Sequence, residues 1–168
     1  GEGNGRGLCR KVNAFDPGNS LLDEIMLDQI LRPKGICEMD NVLWVAGKAG
    51  GEKSFLEVYE GNKLLGEPFQ FNDDRFISSI TSDGSLVYLT GRERGGNKAE
   101  MENFFLDAFE LKNRRSKRTW SAKSESFKQD GSTGRAEMGR EVGTTLMPLP
   151  EGGVLVAGYH QQYWKLGQ

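Results

Sequence analysis

The sequence predicts an all-β protein built from repeated four-stranded antiparallel units, and three observations carry that prediction. One short apolar run closing on glycine occurs three times, as Val42-Leu43-Trp44-Val45-Ala46-Gly47, Leu86-Val87-Tyr88-Leu89-Thr90-Gly91 and Gly153-Val154-Leu155-Val156-Ala157-Gly158. Each run follows a polar turn: Met39-Asp40-Asn41, Ser82-Asp83-Gly84-Ser85 and Pro150-Glu151-Gly152-Gly153. Glycine is abundant at 23 residues against 5 prolines, which suits many tight turns rather than disorder. Runs this short, rich in β-branched and aromatic residues, fit strands buried on both faces. Their recurrence is the mark of a repeat architecture.

Taken in order, residues 1–7 (Gly-Glu-Gly-Asn-Gly-Arg-Gly) form no regular element and read as a disordered end. Residues 8–15 read as a strand, and Asp16-Pro17-Gly18-Asn19 as a turn in which Pro presets φ and Gly accepts φ > 0. Residues 20–30 would also make a helical face through Leu21, Leu22, Ile25, Met26 and Ile30, but the later units place a strand here. The first complete unit, 35–72, reads as strands 35–39, 42–47, 54–59 and 63–71, with a Gly-rich loop over 48–53. The second, 76–127, reads as strands 76–81, 86–91, 104–111 and 118–124, with loops at 92–103 and 112–117. Residues 127–141 are polar and loop-like. A third unit opens at 142–149, continues through Gly158, and residues 162–166 read as the start of its third strand. Residues 8–31 match the third and fourth strands of a unit, and 141–168 match the first and second, so the chain is expected to start and stop within units.

The interval from Gly47 to Gly91 is about 44 residues and that from Gly91 to Gly158 about 67, the excess lying in loops. The shorter interval is close to the ~40–50 residue period of propeller blades. Residues 143–158, with a strand, a proline-containing turn and Val-Leu-Val-Ala-Gly in succession, resemble a kelch or galactose-oxidase-type blade start. The double glycine usual there is half present, since Gly47, Gly91 and Gly158 are followed by Lys48, Arg92 and Tyr159. Residues 86–91, with Leu106-Asp107-Ala108-Phe109 and Trp120, are more similar to the SBBP or delta-60 repeats of secreted bacterial propellers. Both resemblances imply β-propeller blades, partial or completed by oligomerisation, and favour a secreted or cell-surface location over a cytoplasmic one. A β-sandwich also uses short strands at regular spacing and is the alternative fold.

A formal charge of −2 gives no electrostatic reason to expect nucleic acid or an anionic membrane. Apolar runs fall far short of the roughly 20 residues of a spanning helix. One histidine, His160, and two cysteines, Cys9 and Cys37, provide no transition-metal ligand set, so no metal and no cofactor is expected. Residues 72–75 lack the ligand ladder of a calcium loop, residues 82–85 lack the aromatic that closes a sialidase-like Asp box, and both read as turns. The basic run 112–118 reads as a charged hairpin tip rather than a targeting signal. Trp44, Trp120 and Trp164, with Tyr59, Tyr88 and Phe109, are expected in the core. No catalytic triad, paired-carboxylate motif, P-loop or dinucleotide fingerprint is present.

The reading this supports is a non-catalytic binding or protein-interaction scaffold. A fragment of a secreted propeller enzyme and a carbohydrate-binding propeller are the alternatives. The expected partner is a protein or glycan, with a homo-oligomer or a larger propeller completing the ring. Binding is expected at the rim carrying the loops between second and third strands and between units. Lys48, Asp74, Arg75, Arg92, Arg94, Arg140, Tyr159 and His160 are the candidate binding residues there.

Overall fold

In the computed structural model the described residues are 11–72, 74–94, 101–123 and 138–163. They form an all-β structure in three sheets, with one short 3-10 turn. The expected disordered end 1–7, Cys9, Trp164 and most of the 127–141 loop lie outside the described residues. The first sheet is the hairpin of β1 (Lys11–Phe15) and β2 (Leu21–Met26). The second contains β3 (Arg32–Met39), β4 (Val42–Lys48), β5 (Ser54–Glu60), β6 (Lys63–Leu64) and β7 (Phe69–Gln70), the last two both pairing with β5. The third contains β8 (Arg75–Ser82), β9 (Val87–Arg94), β10 (Met101–Lys112) and β11 (Arg115–Lys123), antiparallel in chain order. The hairpin of β12 (Met138–Pro148) and β13 (Val154–Tyr163) joins it through a two-residue parallel pairing, Met101 with Gly139 and Glu102 with Arg140.

Several expected boundaries move. Residues 21–26 are a strand as read, but Leu27 to Ile30 leave it through a bend. The single strand expected over 63–71 is two short pieces, because Gly66 takes φ +65 between them. The loop expected over 92–103 is narrower: β9 runs on to Arg94 and β10 starts at Met101, the two pairing from Val87–Phe109 to Arg94–Glu102. The basic turn shrinks to Asn113-Arg114, both at positive φ (51° and 60°), the backbone of a two-residue hairpin loop whose twist matches its strands. Tyr159 to Gln162 are not a loop, since β13 runs unbroken through them.

The recurrent glycine has a shared physical cause. Where β3 pairs with β4, β8 with β9 and β12 with β13, the first strand carries an extra residue, at Pro33/Gly35, Ile77/Ser79 and Gly143/Thr145. Opposite each bulge sits the terminal glycine of the apolar run. A Cβ on Gly47 would lie 2.5 Å from the carbonyl oxygen of Arg32, and one on Gly91 or Gly158 closer still to those of Phe76 and Val142. Only a residue without a side chain lets the bulged backbone approach that far.

The apolar runs differ in how completely they are covered. Trp44, Ala46, Leu56 and Val58 face the third sheet and pack with Ile77, Leu89, Phe105 and Phe109. Phe69, Phe71 and Phe109 close this core edge to face at 5.0, 5.0 and 5.8 Å. On the other face Val45, Phe55 and Tyr59 pack with Leu27, Ile30, Val12 and Ile25 beneath the first hairpin. The runs in β4 and β9 are therefore buried on both faces, as expected. That in β13 is not: Val154 and Val156 are half-buried while Leu155 is exposed. Trp120, expected in the core, is 41% exposed on β11, leaning on Tyr88 at 6.1 Å between ring centres.

Gly91→Ala is expected to cost about 3 kcal/mol or more, since backbone must shift to admit the methyl group. Gly50→Ala, with open space around it, should stay within about 0.5 kcal/mol of the parent in the same urea titrations.

Candidate functional site

Two buried carboxylates position the segments that lead into the two complete sheets. Phe55-Leu56-Glu57-Val58-Tyr59 on β5 and Phe105-Leu106-Asp107-Ala108-Phe109 on β10 place an acid in the same slot of the third strand. Glu57 and Asp107 are both fully buried. Glu57 accepts the backbone N–H groups of Asp28 (3.0 Å), Gln29 (2.8 Å) and Ile30 (2.8 Å), together with the hydroxyl of Tyr59. Burial, with the bond to Glu57, raises the Tyr59 phenol well above its usual range. Asp107 accepts from Nη1 of Arg75, from Oγ of Ser121 at 2.5 Å and from Nη1 of Arg118 at 3.3 Å. Arg75 also reaches Glu93 and Ser121, and stacks on the Phe105 ring at 4.5 Å. Each acid thus grips the chain where it enters its own sheet, at 28–30 just before β3 and at Arg75, the first residue of β8.

With Arg75 fixed, the following residue, Phe76, stands at the end of β8 where the second and third sheets meet. Three cations surround its ring: Lys48 Nζ at 4.5 Å, Arg92 Cζ at 4.9 Å and Arg94 Cζ at 5.1 Å from the centroid. Lys48 and Arg32 both hold Glu52, whose carboxyl the two bonds keep below its ordinary value. Arg92 (3.6 Å) and Arg140 (2.5 Å) both approach Glu102. Glu93 lies between Arg75 (3.0 Å) and Lys123 (3.9 Å). Asp74 accepts the backbone N–H of Arg94 through its carbonyl at 3.0 Å.

The structure therefore gathers Lys48, Arg92 and Arg94 around one ring, with Arg140 one carboxylate away. Arg75 lies beneath them, only 6% exposed, with every side-chain nitrogen engaged inside the sheet. It positions Phe76 and does not present charge to solvent. These residues sit on strand ends rather than in the loops where the sequence places them. Tyr159 and His160 line a shallow groove of about 300 Å3 with Phe104, Glu141 and Val156. His160 Nδ1 is 3.1 Å from Glu141 Oε1.

The opposite rim is held by different bonds. Asp83 Oδ2 accepts the N–H of Gly153 at 2.7 Å, tying the β8–β9 turn to the β12–β13 turn, and also the Tyr88 hydroxyl at 2.8 Å. Arg114, in the hairpin tip read from the basic run, pairs with Glu60 at 3.0 Å. Phe76 and the acids Glu52, Glu93 and Glu102 went unread as site residues. Phe76 looks like any strand opener, whereas the repeated acid inside two apolar strands is a signal the sequence does carry.

No protein-family model matches the chain, and no curated protein matches it.

Burial works to raise the Asp83 carboxyl, but the N–H groups of Gly153, Leu86 and Ser85 and the Tyr88 hydroxyl outweigh it and hold it well below the usual carboxylate range. Burial and the bond to Asp83 push the Tyr88 phenol up to about 12. A depressed carboxyl contributes stability that is present above its unfolded value of about 4 and is lost as pH falls through the folded value. In urea titrations Asp83→Asn should therefore lose less stability than the parent between about pH 5 and pH 2. Parallel acid limbs would mean that these bonds do not bias the ionised form. Glu57→Ala should strip hydrogen-exchange protection from the amides of residues 28–30, at a cost of about 3 kcal/mol from orphaned donors.

Proposed function

We propose that the chain is a non-catalytic β-propeller scaffold that binds a protein partner at the rim carrying the Phe76 cluster. The observation behind this is the threefold recurrence of one bulged hairpin, with β8 packed against both β3 and β12. First strands lying side by side, each leading outward into its own antiparallel set, are the arrangement that a propeller builds around its axis. The approach between them is close: a Cβ on Gly35 of β3 would come 2.8 Å from Ile80 of β8. Kelch and SBBP-type resemblances in the sequence agree with this arrangement.

A ring normally takes about 4–8 blades, so this reading calls for further sheets from a second copy or from additional chain. Apolar side chains are exposed at both extremes of the structure, with Phe15, Leu22 and Met26 on the first hairpin and Met147 and Leu155 on the last. The first hairpin supplies third and fourth strands and the last supplies first and second strands, so the two are complementary halves of one sheet. Light scattering on the purified chain should give a species heavier than the 18.7 kDa monomer. A sharply monomeric species would rule out closure by a second copy.

The two rims offer the test of binding. Affinity capture followed by substitution should lose its partner with Arg92→Ala and keep it with Arg115→Ala, which lies on the opposite rim. Loss with Arg115→Ala and retention with Arg92→Ala would overturn the assignment.

A further inference from the structure

Around the Phe76 rim one cation stands outside the ion pairs. Each carboxylate there lies between two cations: Glu52 between Arg32 and Lys48, Glu102 between Arg92 and Arg140, and Glu93 between Arg75 and Lys123. Arg94 is the exception. Its guanidinium is exposed, stacks on Phe76 and has no carboxylate partner among the described residues. Lys48 and Arg92 crowd the same ring, so three like charges share a space about 5 Å in radius. Lys48 and Arg92 each have a carboxylate to offset them, so a further anion is best placed at Arg94, whose planar fork matches a carboxylate with two parallel bonds.

We propose that Arg94 is the seat for a carboxylate side chain of an acidic peptide segment, with Arg92 and Lys48 supplying the surrounding positive field. This rests on the binding-scaffold reading and adds the chemistry of the partner. The rim already accepts three glutamates of its own chain in the same manner. A sugar is disfavoured, because the ring on which it would stack is crowded by cations. The segment that fits carries spaced acidic residues, so that one enters at Arg94 while others meet the flanking positive field.

The test uses the full chain and a capped tetraglutamate peptide, with tetraglutamine and inorganic phosphate as comparators, followed by NMR of the arginine Nε–H groups in low salt. Tetraglutamate is expected to shift the Arg94 Nε–H resonance first, and tetraglutamine to leave it unmoved. Arg94→Gln should weaken tetraglutamate binding about tenfold, as loss of a charged hydrogen-bonded pair does. Arg94→Lys, which keeps the charge without the fork, should fall between. Arg115→Gln should bind like the parent, which separates this site from general attraction to the basic hairpin. Equal binding by Arg94→Gln, or phosphate shifting Arg94 as strongly as the peptide at equal charge, would overturn the proposal. A protein partner captured through Arg92 but indifferent to Arg94→Gln would also overturn it, while leaving the scaffold reading standing.

Discussion

A carboxylate in the interior of a sheet has to be met by donors from its own protein, because an unpaired buried ion costs several kcal/mol. Glu57 and Asp107 impose that condition on the second and third sheets, and beside donors from their own or neighbouring strands each draws on the segment entering its sheet. In one case that segment supplies three successive backbone N–H groups, and in the other a guanidinium. The same demand at the same strand position is thus met by two different chemistries. The outcome is alike: the connection between sheets is pinned to a strand two places further out. Asp107 joins Glu93, Ser121 and the pairing with β9 in holding Arg75 at the end of β8, where the ring of the next residue, Phe76, is the common neighbour of cations from two sheets.

How much of this the sequence discloses depends on the range of the forces involved. Strands with strong local patterning were legible, including Val42 to Gly47, Ser54 to Tyr59 and the Leu21 to Met26 stretch that also suits a helix. The glycines were visible, but not their reason, because the bulge opposite Gly91 belongs to a strand more than ten residues away. Trp120 shows the limit of reasoning from residue type. It sits on a strand that the structure leaves facing solvent, and only the packing of sheets decides that.

The candidate residues show the same division. Lys48, Arg92, Arg94 and Arg140 could be assigned to one rim from strand order alone, because strand order determines which ends emerge together. Arg75 could not be separated from them by sequence, although it is buried and they are not. Its partner Asp107 is 32 residues away and looks, in sequence, like an interruption of an apolar strand. The sequence places Tyr159 and His160 in a loop because the apolar run stops before them. Pairing with β12 carries the strand on past that point, as backbone hydrogen bonds do not require apolar side chains.

The packing has a directional character. The first hairpin packs on the second sheet, the second sheet on the third, and the last hairpin on β8, β9 and β10. A protein connected in this linear way behaves like a row of coupled segments, in which each segment's opening is governed by its immediate neighbours. The second and third sheets, each flanked on both sides, are the interior segments, and the two hairpins are the ends. Fluctuations should therefore grow outward from the Trp44 core toward Leu22 on one side and Leu155 on the other. The cationic rim is set at the junction of the second and third sheets, between the two interior segments, where opening is expected to be rarest.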